Sequence, residues 1–264
     1  MTEVAFTYWY VSIGLMVLGA AFILRRGSIM RFGCFFRSEM NDPSMNERLS
    51  AIFARRRELE GASGQPFLVC GALFLLFGVA TLGRLCSPEL SNALGWAACA
   101  IVFAVAFGSI RNRSDRRTAT LMPRRIERVI PVPALVGAIA SSLLPLSIAD
   151  VPGLFWPAII ASAAGLIVCA AAWSIAGMAA VIVGDDCDLE LYVDERIRRA
   201  RANLTLVLGY AVAPTFIGFA GSAAGASGIY GAAVVVAMIL MVAYAAWFLV
   251  AIRGFGLGPR GIRA

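Results

Sequence analysis

The sequence contains neither lysine nor histidine, and these two absences remove several kinds of chemistry. All 23 basic residues are arginine, in a chain of 264 residues with 16 acidic ones. Without histidine the chain cannot build a histidine-ligated haem or zinc site, or a Ser–His or Cys–His nucleophile pair. Without lysine it cannot form a Schiff base, and it lacks the cation of the phosphate-binding P-loop. Composition alone therefore excludes these classes of catalytic centre.

Charged residues of any kind are scarce. They make up 15% of the chain, hydrophobic residues make up 60%, and the mean hydropathy is +0.80. Soluble domains carry about 25% charged residues, so this chain would expose too much apolar surface in water. The composition predicts a single integral membrane domain over residues 1–264.

Long uncharged stretches occur seven times. A helix needs about 20 mostly apolar residues to cross a bilayer, and these stretches reach or approach that length. Their approximate bounds are 5–24, 66–82, 92–110, 129–149, 154–183, 204–220 and 230–252. The sequence therefore predicts an all-α fold, a polytopic transmembrane helical bundle of about seven spans. The fifth stretch would be about 45 Å long as one straight helix, so we expect it to tilt, to bend near Gly165 or Gly177, or to protrude into water.

The arginines fall almost entirely in alternate connecting segments, which a seven-span chain would place on the same side of the membrane. All but Arg84 come after the first, third, fifth or seventh stretch. Short cytoplasmic loops collect Lys and Arg, so the N-terminus is expected outside and the C-terminus in the cytoplasm. The first stretch has its positive residues after it, the reverse of a cleavable signal peptide, and we expect it to remain as an anchor. The expected location is the plasma membrane, with the bacterial inner membrane as the best match.

Aromatic side chains and cysteines agree with this topology. Trp9, Trp96 and Trp156 fall near the predicted outer ends of spans, where amphipathic rings prefer to lie. Cys86 is the one cysteine expected on the outer side, so no disulfide framework is expected. Cys187 is expected to face the cytoplasm.

Residues 25–65 form the longest predicted cytoplasmic loop, and it contains an amphipathic helix. Ser44 and Glu47 have the spacing of a capping box. The apolar residues that follow at helical spacing are Met45, Leu49, Ile52 and Phe53. Such a helix is expected either to lie at the inner membrane surface or to pack on the bundle's own cytoplasmic end. Docking of a dedicated protein partner is the remaining alternative.

Eight arginines are candidates for contact with the anionic inner leaflet or with a partner. They are Arg48, Arg55, Arg56, Arg57, Arg116, Arg117, Arg198 and Arg199. The basic, glycine-rich tail 253–264 is expected to be attracted to the same leaflet. Since the positive charge is explained by orientation, we expect no nucleic-acid partner.

Residues 184–203 form a second charged cytoplasmic loop. Asp185, Asp186 and Asp188 could hold Mg²⁺ and a diphosphate, because clustered carboxylates are hard oxygen ligands. The favoured interpretation is structural: early acids and late arginines complement a helix macrodipole, and two i,i+4 pairs are expected, Asp194 with Arg198 and Glu195 with Arg199. We therefore expect no metal and no cofactor.

The predicted spans contain no ionisable residue other than cysteine and tyrosine, so an ion-coupled transporter is disfavoured. Small residues are plentiful, which favours close helix contacts, and Pro145 and Pro214 predict kinks. The leading hypothesis is a non-catalytic multi-pass subunit or scaffold of a larger plasma-membrane assembly. The alternative is a transporter or channel for a neutral or lipidic substrate, and a third hypothesis is a Mg²⁺-dependent lipid-modifying enzyme.

Overall fold

A computed structural model describes most of the chain between Trp9 and Ala243. The residues described are 9, 12–21, 23–24, 42–60, 65–114, 129–178, 187–220, 235–236, 239 and 242–243. Within them the secondary structure consists of helices and turns and includes no strand, which confirms the predicted all-α class. The tail 253–264 and most of the predicted seventh span lie outside these residues.

Seven helices account for most of the described chain. They are α1 (Ser12–Ala21), α2 (Pro43–Glu60), α3 (Gln65–Leu82), α4 (Pro88–Ser114), α5 (Val132–Leu143), α6 (Phe155–Ala176) and α7 (Cys187–Ala220). A 3₁₀ turn, Leu144–Ile148, follows α5 directly. By length and composition, α6 and the stretch Asp188–Ile217 of α7 could each cross a bilayer.

The helices α3 and α4 form a hairpin. Arg84 adopts a left-handed conformation, with φ of 56°, in the turn between them. Ser87 starts α4, because its hydroxyl accepts a hydrogen bond from the Leu90 N–H at 3.3 Å. Six residues after Leu90, the Trp96 ring packs edge-on against Phe74 with centroids 6.0 Å apart. Trp96 is buried by this contact, whereas Trp9 and Trp156 are exposed.

The prolines of the predicted fourth span shape both of its ends. Pro131 precedes α5 in extended conformation, and Pro133 lies in its first turn. Pro145 has no N–H to give to the Ser141 carbonyl, which the Leu144 N–H reaches instead. The α-helix therefore tightens into a 3₁₀ turn at this point.

The buried face of α6 is built largely from small side chains. The face that α6 turns toward α4, α5 and α7 consists largely of alanine, and the buried ones are Ala158, Ala161, Ala164, Ala171, Ala172 and Ala176. The α-helix ends at Ala176 with Gly177 as its C-cap, near one of the two predicted bends. Short side chains allow the helix axes to approach closely, which increases dispersion contacts along their length.

The helix α7 is longer than the span predicted within it. It has 34 residues and is therefore roughly 51 Å long. Its second half matches the predicted span 204–220, and its first half is the charged segment 187–203. The first half packs against α2, and the second half packs among α4, α5, α6 and the 3₁₀ turn. We call these two regions of the bundle the α2 end and the hairpin end.

Candidate functional site

The candidate site lies at the α2 end, where the two charged segments meet. The apolar face of α2 presents Leu49 and Ile52, and both are fully buried. They join a hydrophobic cluster with Leu189, Val193 and Ile197 of α7. The apolar residues predicted for the amphipathic helix are therefore in contact with this chain's own α7.

The start of α2 differs from the predicted capping box. The carboxylate of Asp42 accepts hydrogen bonds from the Ser44 N–H at 3.0 Å and from the Ser44 hydroxyl at 2.8 Å. Asp42 is therefore the capping residue, and Ser44 lies inside the first turn. The hydrogen bond from the Ser44 hydroxyl, followed by the one from its N–H, lowers the pKa of Asp42 below its ordinary value.

The predicted contact arginines lie in different environments. Arg48 is exposed on the face of α2 that points away from α7. Arg55, Arg56 and Arg57 belong to the last part of α2, and their side chains lie outside the described structure. Arg116 and Arg117 fall wholly outside the described residues.

Arg198, by contrast, is buried and serves the fold. Its Nη1 donates hydrogen bonds of 3.1 Å to the carbonyl oxygens of Ala176 and Met178, and the side chain is 6% exposed. The last carbonyls of a helix lack partners within the helix and carry the negative end of its dipole. A guanidinium has several donors in one plane, so Arg198 satisfies at once the carbonyl of Ala176, the last residue of α6, and that of Met178, two residues beyond it.

Asn203 makes a second connection of the same kind, one and a half turns further along α7. Its side-chain amide donates to the Val129 carbonyl at 3.0 Å and to the Arg199 carbonyl at 2.7 Å. Val129 lies three residues before the start of α5. The charged half of α7 thus ties together the end of α6 and the approach to α5, which sequence spacing alone does not reveal because these contacts span 20 to 74 residues.

The polar face of α7 also contains the predicted helical ion pair. Arg199 donates to the Glu195 carboxylate at 3.3 Å, which confirms that prediction. One turn earlier, Arg196 donates to the Tyr192 hydroxyl, and its guanidinium lies 5.9 Å from the centre of the Tyr192 ring. These partly exposed contacts stabilise the helix by little but fix where its arginines point.

Of the three aspartates of the predicted acidic cluster, only Asp188 is among the described residues. Asp185 and Asp186 lie outside the described residues, and Asp188 is exposed in the first turn of α7. Glu190, in the same turn, is buried. Acids in a first turn complement the helix dipole. Among the described residues no group of three or more Cys, Asp or Glu side chains is placed to hold a metal ion.

At the hairpin end, α7 is held to α5 by Tyr210, a residue that no sequence pattern singles out. The Tyr210 hydroxyl donates to the Ala134 carbonyl at 2.6 Å. The Ser141 hydroxyl donates to the Tyr210 carbonyl at 3.3 Å. Pro214, four residues later, has no N–H for that carbonyl, so a side chain of α5 fills the place of a lost helix bond.

Three buried side chains of α4 and α6 each have a polar atom without a hydrogen-bond partner. They are Ser91, Asn92 and Ser162, and the described chain supplies no partner for the two hydroxyls or for the amide oxygen. Buried polar groups in proteins are nearly always satisfied. Ser91 and Asn92 are adjacent in the first turns of α4, at the hairpin end.

Comparison with protein-family models, with curated proteins and with solved structures finds no match for this chain.

Proposed function

We propose that this chain is a non-catalytic, multi-pass subunit of a larger assembly in the plasma membrane. In this proposal its seven spans cross the bilayer with the N-terminus outside, and the α2 end faces the cytoplasm. The anionic inner leaflet is then the surface nearest to the exposed arginines. The proposal rests on the side chains that face outward. A helix surrounded by lipid can expose apolar side chains that a helix in water would bury.

The outward faces of the helices support the membrane environment. Large aliphatic side chains are exposed on α1, α3 and α5, for example Val17 at 63%, Leu76 at 61% and Val136 at 59%. Soluble proteins rarely expose contiguous apolar surface on this scale. The buried face of α6, by contrast, contains mainly alanine, with serine and glycine. Small residues at helix contacts are typical of helices that pack within lipid.

The outward face of α6 is the observation that carries the subunit proposal. It contains Ala163, Ala170 and Gly177, which are spaced seven residues apart and exposed. Leu166 and Trp173 lie beside them at 38% and 42% exposure. The exposed faces of α3 and α5 contain one alanine each, Ala72 and Ala140, so neither repeats the seven-residue spacing. Small residues at every second turn let a second helix approach closely, so this face is suited to a helix of another subunit.

The experiment compares two bulky substitutions on different exposed faces. Ala170→Leu should weaken the assembly, because the added atoms occupy the space that a partner helix needs. Ala140→Leu makes the same change on the exposed face of α5 and should leave the assembly intact. The readout is native mass measurement after extraction in mild detergent. Recovery of the parent chain as a lone monomer, or equal effects of both variants, would contradict the proposal.

A second candidate function, transport of a small neutral or lipidic substrate, is favoured by the unsatisfied polar groups at the hairpin end. Asn92 is 1% exposed, and a buried amide without a partner costs about 1–3 kcal/mol. A neutral molecule with a hydrogen-bond donor would offset that cost. Flux of glycerol or urea into liposomes containing the purified chain would support this candidate, provided that Asn92→Leu abolishes the flux.

A further inference from the structure

The segment of α7 from Gly209 to Thr215 combines three features that weaken a helix. Gly209 has no side chain to stiffen the backbone. Pro214 removes the hydrogen bond to the Tyr210 carbonyl. The Thr215 hydroxyl donates back to the carbonyls of Ala211 and Val212 at 2.6 and 3.0 Å, a pattern that bends helices. All three fall within seven residues of a 34-residue helix.

This weak segment is held against α5 by a defined set of contacts, which we call the Tyr210 latch. It consists of the hydrogen bond from the Tyr210 hydroxyl to the Ala134 carbonyl and the one from the Ser141 hydroxyl to the Tyr210 carbonyl. Gly137 makes room for the latch, because a Cβ at that position would collide with the Tyr210 hydroxyl. Both bonds join the same residue of α7 to α5, so both must break together if α7 moves away.

We propose that α7 has a hinge at Gly209–Thr215 and that the Tyr210 latch controls whether its last turns, residues 211–220, remain against α5 and α6. With the latch closed, the hairpin end is packed as the structure describes it. With the latch open, the interface among α5, α6 and α7 becomes accessible. This device goes beyond the proposed subunit role and operates whichever partner the chain has.

A native cysteine lies at the interface that would open, so its exposure to solvent reports the movement of α7. Cys169 of α6 is buried, and a Cβ placed on Gly209 would be 3.1 Å from its sulfur. The thiol therefore contacts the backbone of α7 at the start of the hinge, and the Ser142 hydroxyl of α5 lies 3.8 Å away on the other side. Reagents can reach this sulfur only when α7 moves.

The test is the rate at which N-ethylmaleimide labels Cys169 in the purified full-length chain in mild detergent. Tyr210→Phe and Ser141→Ala each remove one latch bond and should raise the rate about five- to tenfold, the effect of one typical hydrogen bond. Pro214→Ala restores the N–H that the Tyr210 carbonyl lacks, so it should stiffen the hinge and lower the rate.

Two other buried thiols, Cys70 of α3 and Cys99 of α4, are the control within the same molecule. They share the hydrophobic core with Tyr210 but lie on helices that the latch bonds do not join, so they report overall loosening of the fold. The proposal is supported if Cys169 alone accelerates in Tyr210→Phe and Ser141→Ala. It is overturned if all three thiols accelerate together, if Cys169 does not respond, or if Pro214→Ala raises its rate.

Discussion

Replacing Arg198 by methionine should destabilise the protein more than any other single arginine change in α7. Methionine has a similar length but no donors, so the carbonyls of Ala176 and Met178 would lose their partner, with both bonds at 3.1 Å. Hydrogen bonds from a charged group contribute about 1.5–3 kcal/mol each. Because the guanidinium is buried, water cannot replace it well, and we expect a loss of about 3–5 kcal/mol.

The neighbouring residue provides a matched control for this prediction. Arg199→Met removes the ion pair with Glu195, whose two side chains are 30% and 47% exposed. Exposed i,i+4 pairs contribute about 0.3–0.5 kcal/mol. Both variants can be compared by denaturant unfolding in mild detergent, followed by far-ultraviolet circular dichroism. Arg198→Lys should fall between them, because a single ammonium cannot reproduce the planar arrangement of guanidinium donors.

Similar losses for Arg198→Met and Arg199→Met would refute this reasoning. That outcome would mean that the contacts between Arg198 and the end of α6 are not what holds α7 in place. If Arg198→Lys lowers the free energy of unfolding as much as Arg198→Met does, the geometry of the guanidinium donors, and not the positive charge, provides the stabilisation.

Three further predictions follow from other contacts. Gly137→Ala should cost about 1–3 kcal/mol by crowding the Tyr210 hydroxyl, measured by the same unfolding assay. Ile52→Ala should cost about 2–4 kcal/mol and speed amide exchange throughout α2, whereas Arg48→Ala, on the exposed face, should change exchange little. Asp42 has a lower pKa in the folded chain than its ordinary value of 3.8, so its stabilisation is complete above that value. The protection factors of amides in the first turn of α2, taken relative to the intrinsic exchange rate at each pH, should fall as pH falls through the lowered pKa, and Asp42→Asn should remove this dependence.

The amphipathic helix shows how far periodicity can go. Spacing alone identified Leu49 and Ile52 as the buried face, because a helix of 3.6 residues per turn leaves no other arrangement of these side chains. The cap was misplaced by two residues, since both Asp42 and Ser44 are suitable capping residues and only the backbone geometry decides between them.

The charged half of α7 shows what a hydropathy pattern cannot give. The predicted span stopped at residue 204 because charges begin there, yet the helix continues back to Cys187. Hydropathy indicates whether a segment can lie in lipid. Backbone hydrogen bonds can continue from an apolar segment into a charged one, so the helix need not end where the charges begin. The contacts of Arg198 and Asn203 with distant carbonyls depend on how the helices are arranged, which no local pattern specifies.

The effects of the prolines could be predicted in part from the sequence. Their positions predicted disturbed helices at Pro145 and Pro214, and the chemistry of a missing N–H predicts a free carbonyl four residues earlier. At Pro145 a tighter turn uses that carbonyl. At Pro214 a hydroxyl of another helix does so. Which solution occurs depends on the neighbouring helix, and this is why Tyr210 was missed.

The most direct test of the central proposal, a bundle that crosses the membrane with its arginines inside, is labelling of single cysteines in intact cells. Cys86 lies partly exposed in the turn between α3 and α4, and Cys187 begins α7. Each is retained alone, with the other cysteines replaced by serine, and treated with a membrane-impermeant maleimide. With this topology, we expect that Cys86 is labelled at once and that Cys187 is labelled only after the membrane is disrupted. Labelling of Cys187 in intact cells would contradict it.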